Sequence, residues 1–508
     1  MQISVCREVL REKKMKKKTN DFGNDPVPSL VLKISIPFMF AQFVNVLYSI
    51  VDRIYIGNIP EIGDVSLAGA GICAPIITLL SSFATLIGIG GSVLFSMRLG
   101  AGDKERAKKL LGTSFSMLVL FSAVLTLLFL MIKGPLLHWF GASETTFPYA
   151  DTYMTIYTLG TFFALLSMGM NYFITAQGYP GLGMATTLIG AVVNIILDPV
   201  FIFLFHMDIA GAALATVLAQ LSSCIFVLFT LKRKKMPVEL RFIKPEKSLA
   251  WRILKMGFSP FLILATDSVV IIALNAVLQH FGGPEYGDTL ITCATIVQSY
   301  MLLITSPMLG ITGGSQPLIS FNLGAGKVER IRKIVFCVLM LCIGFTTFMF
   351  GVSRIVPQYF VRIFTDNPEY MQLSVWGIKV FTLGIVPLSF QYVFVDALTA
   401  MSMTRLSLSL SLFRKTTYFL ATCIIPVFFA AKTAFYAEPI ADGLAFITSS
   451  TAFFIIYKKY LKGKGHLEQM QILALDRAAG RVCGSPFLFA LAHCEIIADA
   501  TALGAGVH

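Results

Sequence analysis

Residues 194–220 read NIILDPVFIFLFHMDIAGAALATVLAQ, and this stretch decides how the chain must fold. It is apolar enough to sit in lipid, yet an amide, a carboxylate and a proline stand inside the apolar run. Asn194 and Asp198 are four residues apart, so on a helix they share one face, a turn above each other. Pro199 has no N–H, so the helix loses the bond to the Ile195 carbonyl, and the residue before a proline is pushed away from the α region. The spacing predicts a carboxylate, an amide oxygen and a freed carbonyl in low-dielectric surroundings. A turn at 206–209 follows, and a small-residue helix carrying Thr216 runs back. An ionisable group inside a membrane segment costs roughly 2.5–3.5 kcal/mol on insertion scales, so it marks a functional position by default. The stretch reads as an ion site.

The rest of the chain supplies the membrane segments that such a site needs. Its 508 residues are 56% hydrophobic and 14% charged, against about 25% charged in soluble proteins. The mean hydropathy is +0.76. Apolar runs long enough to cross a bilayer of about 30 Å recur along almost the whole length. The alternating segments of roughly ten residues that mark a membrane barrel are absent. The expected class is an all-α polytopic membrane protein.

The net charge of +13 does not point to nucleic acid, because of where the charge lies. Lys and Arg crowd into alternate loops, at 7–18, 98–109, 232–255, 327–333, 405–415 and 458–464. The loops between, near 57–66, 141–151, 206–208 and 280–288, are poor in both and carry Glu61, Asp64, Glu144, Glu285 and Asp288. This alternation places the basic loops and both termini in the cytoplasm of a multi-pass protein of the cytoplasmic membrane. The nine cysteines lack a C-x-x-C pair and read as small apolar residues.

Residues 1–29 form a basic segment without the apolar core of a signal peptide, and Met15 is a second candidate start. Helices are expected at about 30–57, 66–97, 108–133, 147–177, 182–205 and 209–231. A charged linker, 232–248, follows. Helices are then expected at about 249–280, 289–321, 331–353, 371–402, 407–430 and 437–460. The N-lobe is thus 30–231, the C-lobe 249–461, and 462–508 a poorly ordered tail. LGAG occurs at 99–102 and at 323–326, within RLGAGDKERAKK and NLGAGKVERIRK, an offset of 224. Thr175-Ala176 meets Thr399-Ala400 at the same offset, and Pro37 meets Pro260 at 223. Each half has an even number of helices, so the copies insert in the same orientation. A parallel repeat about an axis along the membrane normal is a secondary-transporter architecture, with substrate bound between the halves. Twelve transmembrane helices in two six-helix pseudo-symmetric lobes are expected.

NIILDPVFIF, DIAGAALAT and the doubled LGAG with its basic run, set in twelve helices, together resemble the multidrug and toxic compound extrusion (MATE) family over about residues 30–460. The resemblance implies cation-coupled export through a cavity between two lobes, with Pro37 the bending point of the first helix and Pro199 the break in the fifth. In one branch of that family an Asp on the first helix, an Asn and an Asp four apart on the fifth, and a Thr on the sixth hold the cation. Asp52, Asn194, Asp198 and Thr216 occupy those places here. Helix directions agree: at about 1.5 Å per residue, Asp52, Asp198 and Thr216 all come within about 12 Å of the outer edge. Two carboxylates in one dry pocket cannot both stay ionised cheaply, so a proton or a cation between them is expected. The amide, hydroxyl and carbonyl oxygens suit Na⁺, and the carboxyl pair alone suits H⁺. The competing structural reading pairs Asp52 or Asp198 with Arg53.

Asp267 and Asp396 are further acids inside the second half, read as cavity acids that carry protons or contact a cationic substrate. Gln42, Asn45, Asn171 and Gln298 read as hydrogen bonds between helices. Glu438 and Asp442 read as solvated at the outer end of the last helix, and Arg414 as an inner-end anchor. Gly100-Ala101-Gly102-Asp103 matches the G-x-G-D of intramembrane aspartyl proteases, but its repeat copy ends in Lys327, which favours a structural turn. No nucleotide-binding or hydrolytic motif is present, so an enzyme is not expected and transport must draw on ion gradients. The resulting reading is an antiporter, with no cofactor beyond a coupling Na⁺ or H⁺. It exports small organic cations or amphipathic drugs by alternating access, as a monomer in contact with membrane lipid and no nucleic acid. The alternative is a flippase for a lipid-linked saccharide, which would want Arg and Lys in the cavity.

Overall fold

The computed structural model describes residues 20–140, 142–365 and 367–458, and every regular element among them is a helix. The basic segment before residue 20, the choice of start and the 462–508 tail lie outside the described residues. The first half consists of α1 (Val27–Gly57), α2 (Gly63–Gly100), α3 (Lys104–Trp139), α4 (Phe147–Ala176), α5 (Pro180–Pro199) and α6 (Asp208–Leu231). The second half begins with α7 (247–282) and α8 (284–324), which part at Gly283 (φ 73°, ψ −176°), a backbone conformation essentially reserved for glycine. It continues with α9 (Val328–Ile355), α10 (Pro368–Ala400), α11 (Thr404–Phe428) and α12 (Ala437–Ile456).

Among the described residues, eleven helices are long and apolar enough to span a bilayer. The helix that falls short is α11, which carries Arg405, Arg414 and Lys415 among its serines and threonines. Helix starts follow local chemistry. Proline opens α1, α4, α5 and α10, where its fixed φ is helical and its missing N–H costs nothing. Asp103 caps α3 by accepting from the Arg106 N–H at 3.1 Å, so this acid of the protease-like motif is a helix cap.

The LGAG repeat is a repeat of backbone geometry. At the end of α2, Gly102 (φ 80°) closes a left-handed turn, with its N–H on Leu99 O at 3.1 Å and that of Asp103 on Arg98 O at 2.9 Å. The end of α8 does the same with Gly326 (φ 70°), through Leu323 O at 3.1 Å and Asn322 O at 2.9 Å. The first glycine of each copy serves a contact between halves. A Cβ on Gly100 would lie 2.0 Å from Phe321 O, and one on Gly324 would lie 2.0 Å from Met97 O. Phe321 and Gly324 stand 224 residues after Met97 and Gly100, so these two contacts are copies of one another. Further along, Gly90 and Gly257 let α2 cross α7, and Gly310 lets α8 cross α1 at Met39. These close crossings draw the halves together toward the end that carries the basic loops.

A short segment straps the same end. Asn20 donates to Gly178 O at 3.2 Å in the first half. In the second half, Asn322 donates to Phe22 O at 3.0 Å, Lys327 to Gly23 O at 2.9 Å, and Arg330 to Phe22 O at 3.1 Å and Asp25 O at 2.7 Å. Phe22 is buried edge-on against Phe321. Hydrogen bonds from charged donors contribute about 1.5–3 kcal/mol each. Arg330→Ala is therefore expected to speed amide exchange over 20–25 at least about tenfold, since about 1.4 kcal/mol is a factor of ten. Exchange unchanged from wild type would show that the strap holds without this arginine.

One local expectation needs correction. Asp198 was expected outside the α region, but it remains helical and Pro199 is too (φ −63°, ψ −30°). The chain absorbs the missing N–H by widening into a π turn over Val200–Leu204, closed by Phe205 N on Val200 O at 2.9 Å. Pro37 lies inside α1, which is uninterrupted in this state. The linker packs against the first half. It runs extended under the first half, with Val238 N on Gln177 Oε1 at 2.8 Å and Ile243 O accepting from Ser116 at 2.7 Å.

Candidate functional site

The helical phase of α5 sets the site. Asn194 and Asp198 face inward and are 1% and 0% exposed, and Asn194 Nδ2 donates to Asp198 Oδ1 at 3.1 Å. The same amide reaches Thr216 Oγ1 of α6 at 3.4 Å. Asp52 of α1 comes to the same place, with its carboxyl within hydrogen-bonding reach of that of Asp198. The structure thus brings Asp52, Asn194, Asp198 and Thr216 together from three helices. Among the described residues no ion pair joins Arg53 to either acid.

Three buried acceptors at this place have no donor: Asp52 Oδ1, Asp198 Oδ2 and Asn194 Oδ1. Unpaired oxygens in low dielectric are costly, and two adjacent carboxyls more so. A proton between the carboxyls, or a small cation on the free oxygens, relieves both costs. Oxygen donors of this type hold hard cations, so the residues present fit either charge. No cluster of three or more His, Cys, Asp or Glu side chains suited to a metal occurs among the described residues. Any cation here would rely on the amide and hydroxyl oxygens as well as the two acids.

A second ring of polar side chains surrounds the acids. Tyr48 lies beside Asp52, Asp198 and Tyr157. Tyr153 lies beside Thr216, and Tyr157 OH accepts from Gln220 Nε2 at 3.2 Å. The sequence reading missed these residues, although a signal existed. Tyr48 precedes Asp52 by four, Gln220 follows Thr216 by four, and Tyr153 and Tyr157 are four apart, so each pair shares a helix face.

The second half differs from expectation. Asp267 does not stand free in a cavity: Lys415 Nζ bonds its Oδ1 at 2.5 Å and also the Ile263 carbonyl. Asp396 lies beside Thr312 and Gln316 of α8 and near Tyr172 of α4, so it faces the first half. Asp442 is not solvated, being 0% exposed, because Arg414 Nε donates to its Oδ1 at 2.8 Å. Glu438 also accepts from Arg414, at 2.6 Å, so Arg414 is no inner-end anchor. Helical spacing brings Glu438 and Asp442 onto the face that meets Arg414, which removes them from solvent. Asn171 does bond between helices, to Gly183 O at 3.2 Å.

Comparison with known proteins gives a uniform answer. A family model described as MatE matches residues 37–200 and 265–420. The multidrug export protein MepA of Staphylococcus haemolyticus is 25% identical over 444 residues, covering 86% of this chain and 94% of that protein. MepA of Staphylococcus aureus is 25% identical over 420 residues, covering 82% and 89%. Among solved structures, a MATE protein in the straight conformation superposes with a TM-score of 0.79 at 21% identity, covering 86% of this chain and 98% of that one. A transporter of the MOP superfamily from Pyrococcus furiosus gives 0.80 at 20% identity, covering 88% and 98%.

Proposed function

The chain belongs to the multidrug and toxic compound extrusion family, a family of transporters and not of enzymes, and from that premise we propose that it exports small organic cations or amphipathic drugs in exchange for Na⁺ or H⁺. The meeting of Asp52, Asn194, Asp198 and Thr216 at one buried place carries this reading. The transporter works as two six-helix lobes, α1–α6 and α7–α12. In it α11 is the twelfth span, and partners on α7 and α12 neutralise its Arg414 and Lys415. The protein lies in the cytoplasmic membrane with its basic loops inside. The crossings at Gly100, Gly257 and Gly324 then hold the cytoplasmic ends of the halves together, which supports an outward-facing state.

In this state a cation from outside reaches Asp52 and Asp198. Charge neutralisation lets α1 approach α5, with Pro37 and the Pro199 π turn as the points that yield, and the lobes rock to the opposite access. An organic cation binding between the lobes competes for the same negative charge and reverses the motion. Asp396, facing Tyr172 across the lobes, is the cavity acid for that substrate. Asp267 keeps its charge on Lys415. A lipid-linked pyrophosphate is disfavoured as cargo, because the buried Arg414 and Lys415 already serve carboxylates.

Drug-sensitivity profiles of cells expressing the protein test the reading: export of organic cations should raise tolerance, and wild-type cells no more tolerant than empty ones would refute it. The ion is resolved by Thr216→Val. Loss of the hydroxyl should weaken Na⁺-driven export roughly tenfold, as removal of one metal-site partner typically does. H⁺-driven export should be left intact. Equal effects under both gradients would show that Thr216 contacts neither ion.

A further inference from the structure

The second half holds a charged cluster that the site around Asp198 does not use. Arg414 of α11 lies between two carboxylates of α12, with Nη2 on Glu438 Oε1 at 2.6 Å and Nε on Asp442 Oδ1 at 2.8 Å. The Arg414 and Glu438 side chains are 15% and 14% exposed, and that of Asp442 is 0%. Lys415, next in sequence, is paired with Asp267 of α7. The phenols of Tyr392 and Tyr418 face the same group from α10 and α11. Arg414 and Lys415 carry two positive charges against three carboxylates, Asp267, Glu438 and Asp442, so the cluster as ionised has one negative charge in excess.

Two observations locate the excess. Asp442 Oδ2 is buried with no donor. It also lies over Gly384, where an added Cβ would be 2.8 Å from it, at the end of a 3-10 turn (Thr382–Gly384) that interrupts α10. Arg414 bonds only Oδ1 and is shared with Glu438, so an ionised Asp442 would hold its second oxygen buried with no donor, which is costly for a carboxylate. Arg414 already fills the space between the two acids, and Gly384 closes the other side. One free oxygen of a single carboxyl suits a proton, and no cluster of metal-ligating side chains occurs among the described residues.

We propose that Arg414, Glu438 and Asp442 form a second proton-binding site, with the proton on Asp442 Oδ2, which exchanges during the transport cycle. The chemistry is one O–H bond made from water-borne H⁺ and broken again, with no other bond or electron changed. Helices α11 and α12 repeat α5 and α6, and each of these pairs carries a fully buried carboxyl, Asp198 on α5 and Asp442 on α12. The side chains themselves are not copies: Thr422 and Tyr418 stand 224 residues after Asp198 and Asn194. Protonated, the cluster lets α10 and α12 pack dry at Gly384. Deprotonated, Asp442 must draw water into that seam, which loosens the wall of the second half. Proton occupancy thereby sets the packing between α10 and α12, independently of the Asp52 and Asp198 pair.

Infrared spectroscopy of the full chain in lipid tests this, because a protonated carboxyl has a C=O band that shifts in D2O. The background is Asp52→Asn with Asp198→Asn, so the other acid pair cannot contribute. Asp396 can add a band of its own, so the assignment rests on what Asp442→Asn removes. The expected result is a band at neutral pH in the background protein that is lost on adding Asp442→Asn. Should that chain fail to fold, Glu438→Gln takes its place. With Glu438 neutral, Arg414 serves Asp442 alone and the same band should vanish. A band that survives these changes, or no band at all, overturns the proposal. A second arm uses proteoliposomes holding the otherwise wild-type protein with ethidium as probe. Asp442→Asn should lower the protons moved per ethidium by one. A merely structural ion pair would leave that ratio unchanged, and an unchanged ratio also overturns the proposal. Failure of the Asp52 and Asp198 reading would appear separately, as ethidium export that persists in the background protein.

Discussion

Asp198→Asn is expected to abolish gradient-driven accumulation while leaving the protein folded in the membrane. The amide keeps the shape of the side chain and its contact with Asn194, so packing of α5 on α6 survives. What goes is one negative charge at a place with no buried base beside it. On the proposed mechanism that charge couples ion entry to lobe motion. One elementary charge moving through 100 mV is worth about 2.3 kcal/mol. At about 1.4 kcal/mol per factor of ten, losing it lowers the attainable substrate gradient about fifty-fold. Tolerance of expressing cells should fall to that of cells lacking the protein, with expression level unchanged on a blot. Tolerance that survives the substitution removes Asp198 from the coupling step.

Gly257→Val should act with comparable force from the opposite end of the molecule. A Cβ at 257 would lie 1.7 Å from Leu86 O, and one on Gly90, across the same crossing, would lie 2.3 Å from Ile253 O. Both obstacles are main-chain atoms of the crossing helix, so no side chain can turn away to relieve them. Overpacking costs typically about 1–3 kcal/mol and sometimes more. That is enough to shift the balance of access states about tenfold or beyond against closure at the basic end. Spin labels at Lys104 and Glu329, both exposed and flanking the two LGAG turns, report the separation. The variant should populate a longer distance than wild type and lose export. Gly71→Ala is the control, since nothing lies within 4 Å of a Cβ there. A wild-type distance in Gly257→Val would mean that α2 and α7 separate without penalty.

The fold was legible because membrane helices carry their own signal. Each span must satisfy its backbone internally, so its length and apolarity appear in the chain itself. The LGAG repeat was readable for a related reason: its second glycine adopts positive φ in both copies and its first lies against the other half, so neither tolerates a side chain. Asn194 and Asp198 were legible as a pair because four residues is one helical turn, whereas their neighbours on other helices were harder to see. Tyr48, Tyr153 and Tyr157 looked like ordinary aromatic residues until packing brought them against the acids.

Burial across helices was the least legible feature. Glu438 and Asp442 sit near the start of α12, where spacing alone reads as a solvated end. Only the arrival of Arg414 from α11 takes them out of water. The same ion pairs explain why α11 escapes a hydropathy criterion that eleven other helices meet. Asp198 misled in the other direction. Local rules place a residue before proline outside the helix, but the π turn at Val200–Leu204 supplied a way to keep it inside.

The most direct test is the affinity of the purified protein for an organic cation such as ethidium, titrated in lipid nanodiscs across Na⁺ concentration and pH. If the carboxyls of Asp52 and Asp198 exchange a small cation against substrate, affinity should fall as Na⁺ or H⁺ rises. That dependence should disappear in Asp52→Asn and in Asp198→Asn. An affinity indifferent to both ions in the wild type, or equally sensitive in the variants, would contradict the account.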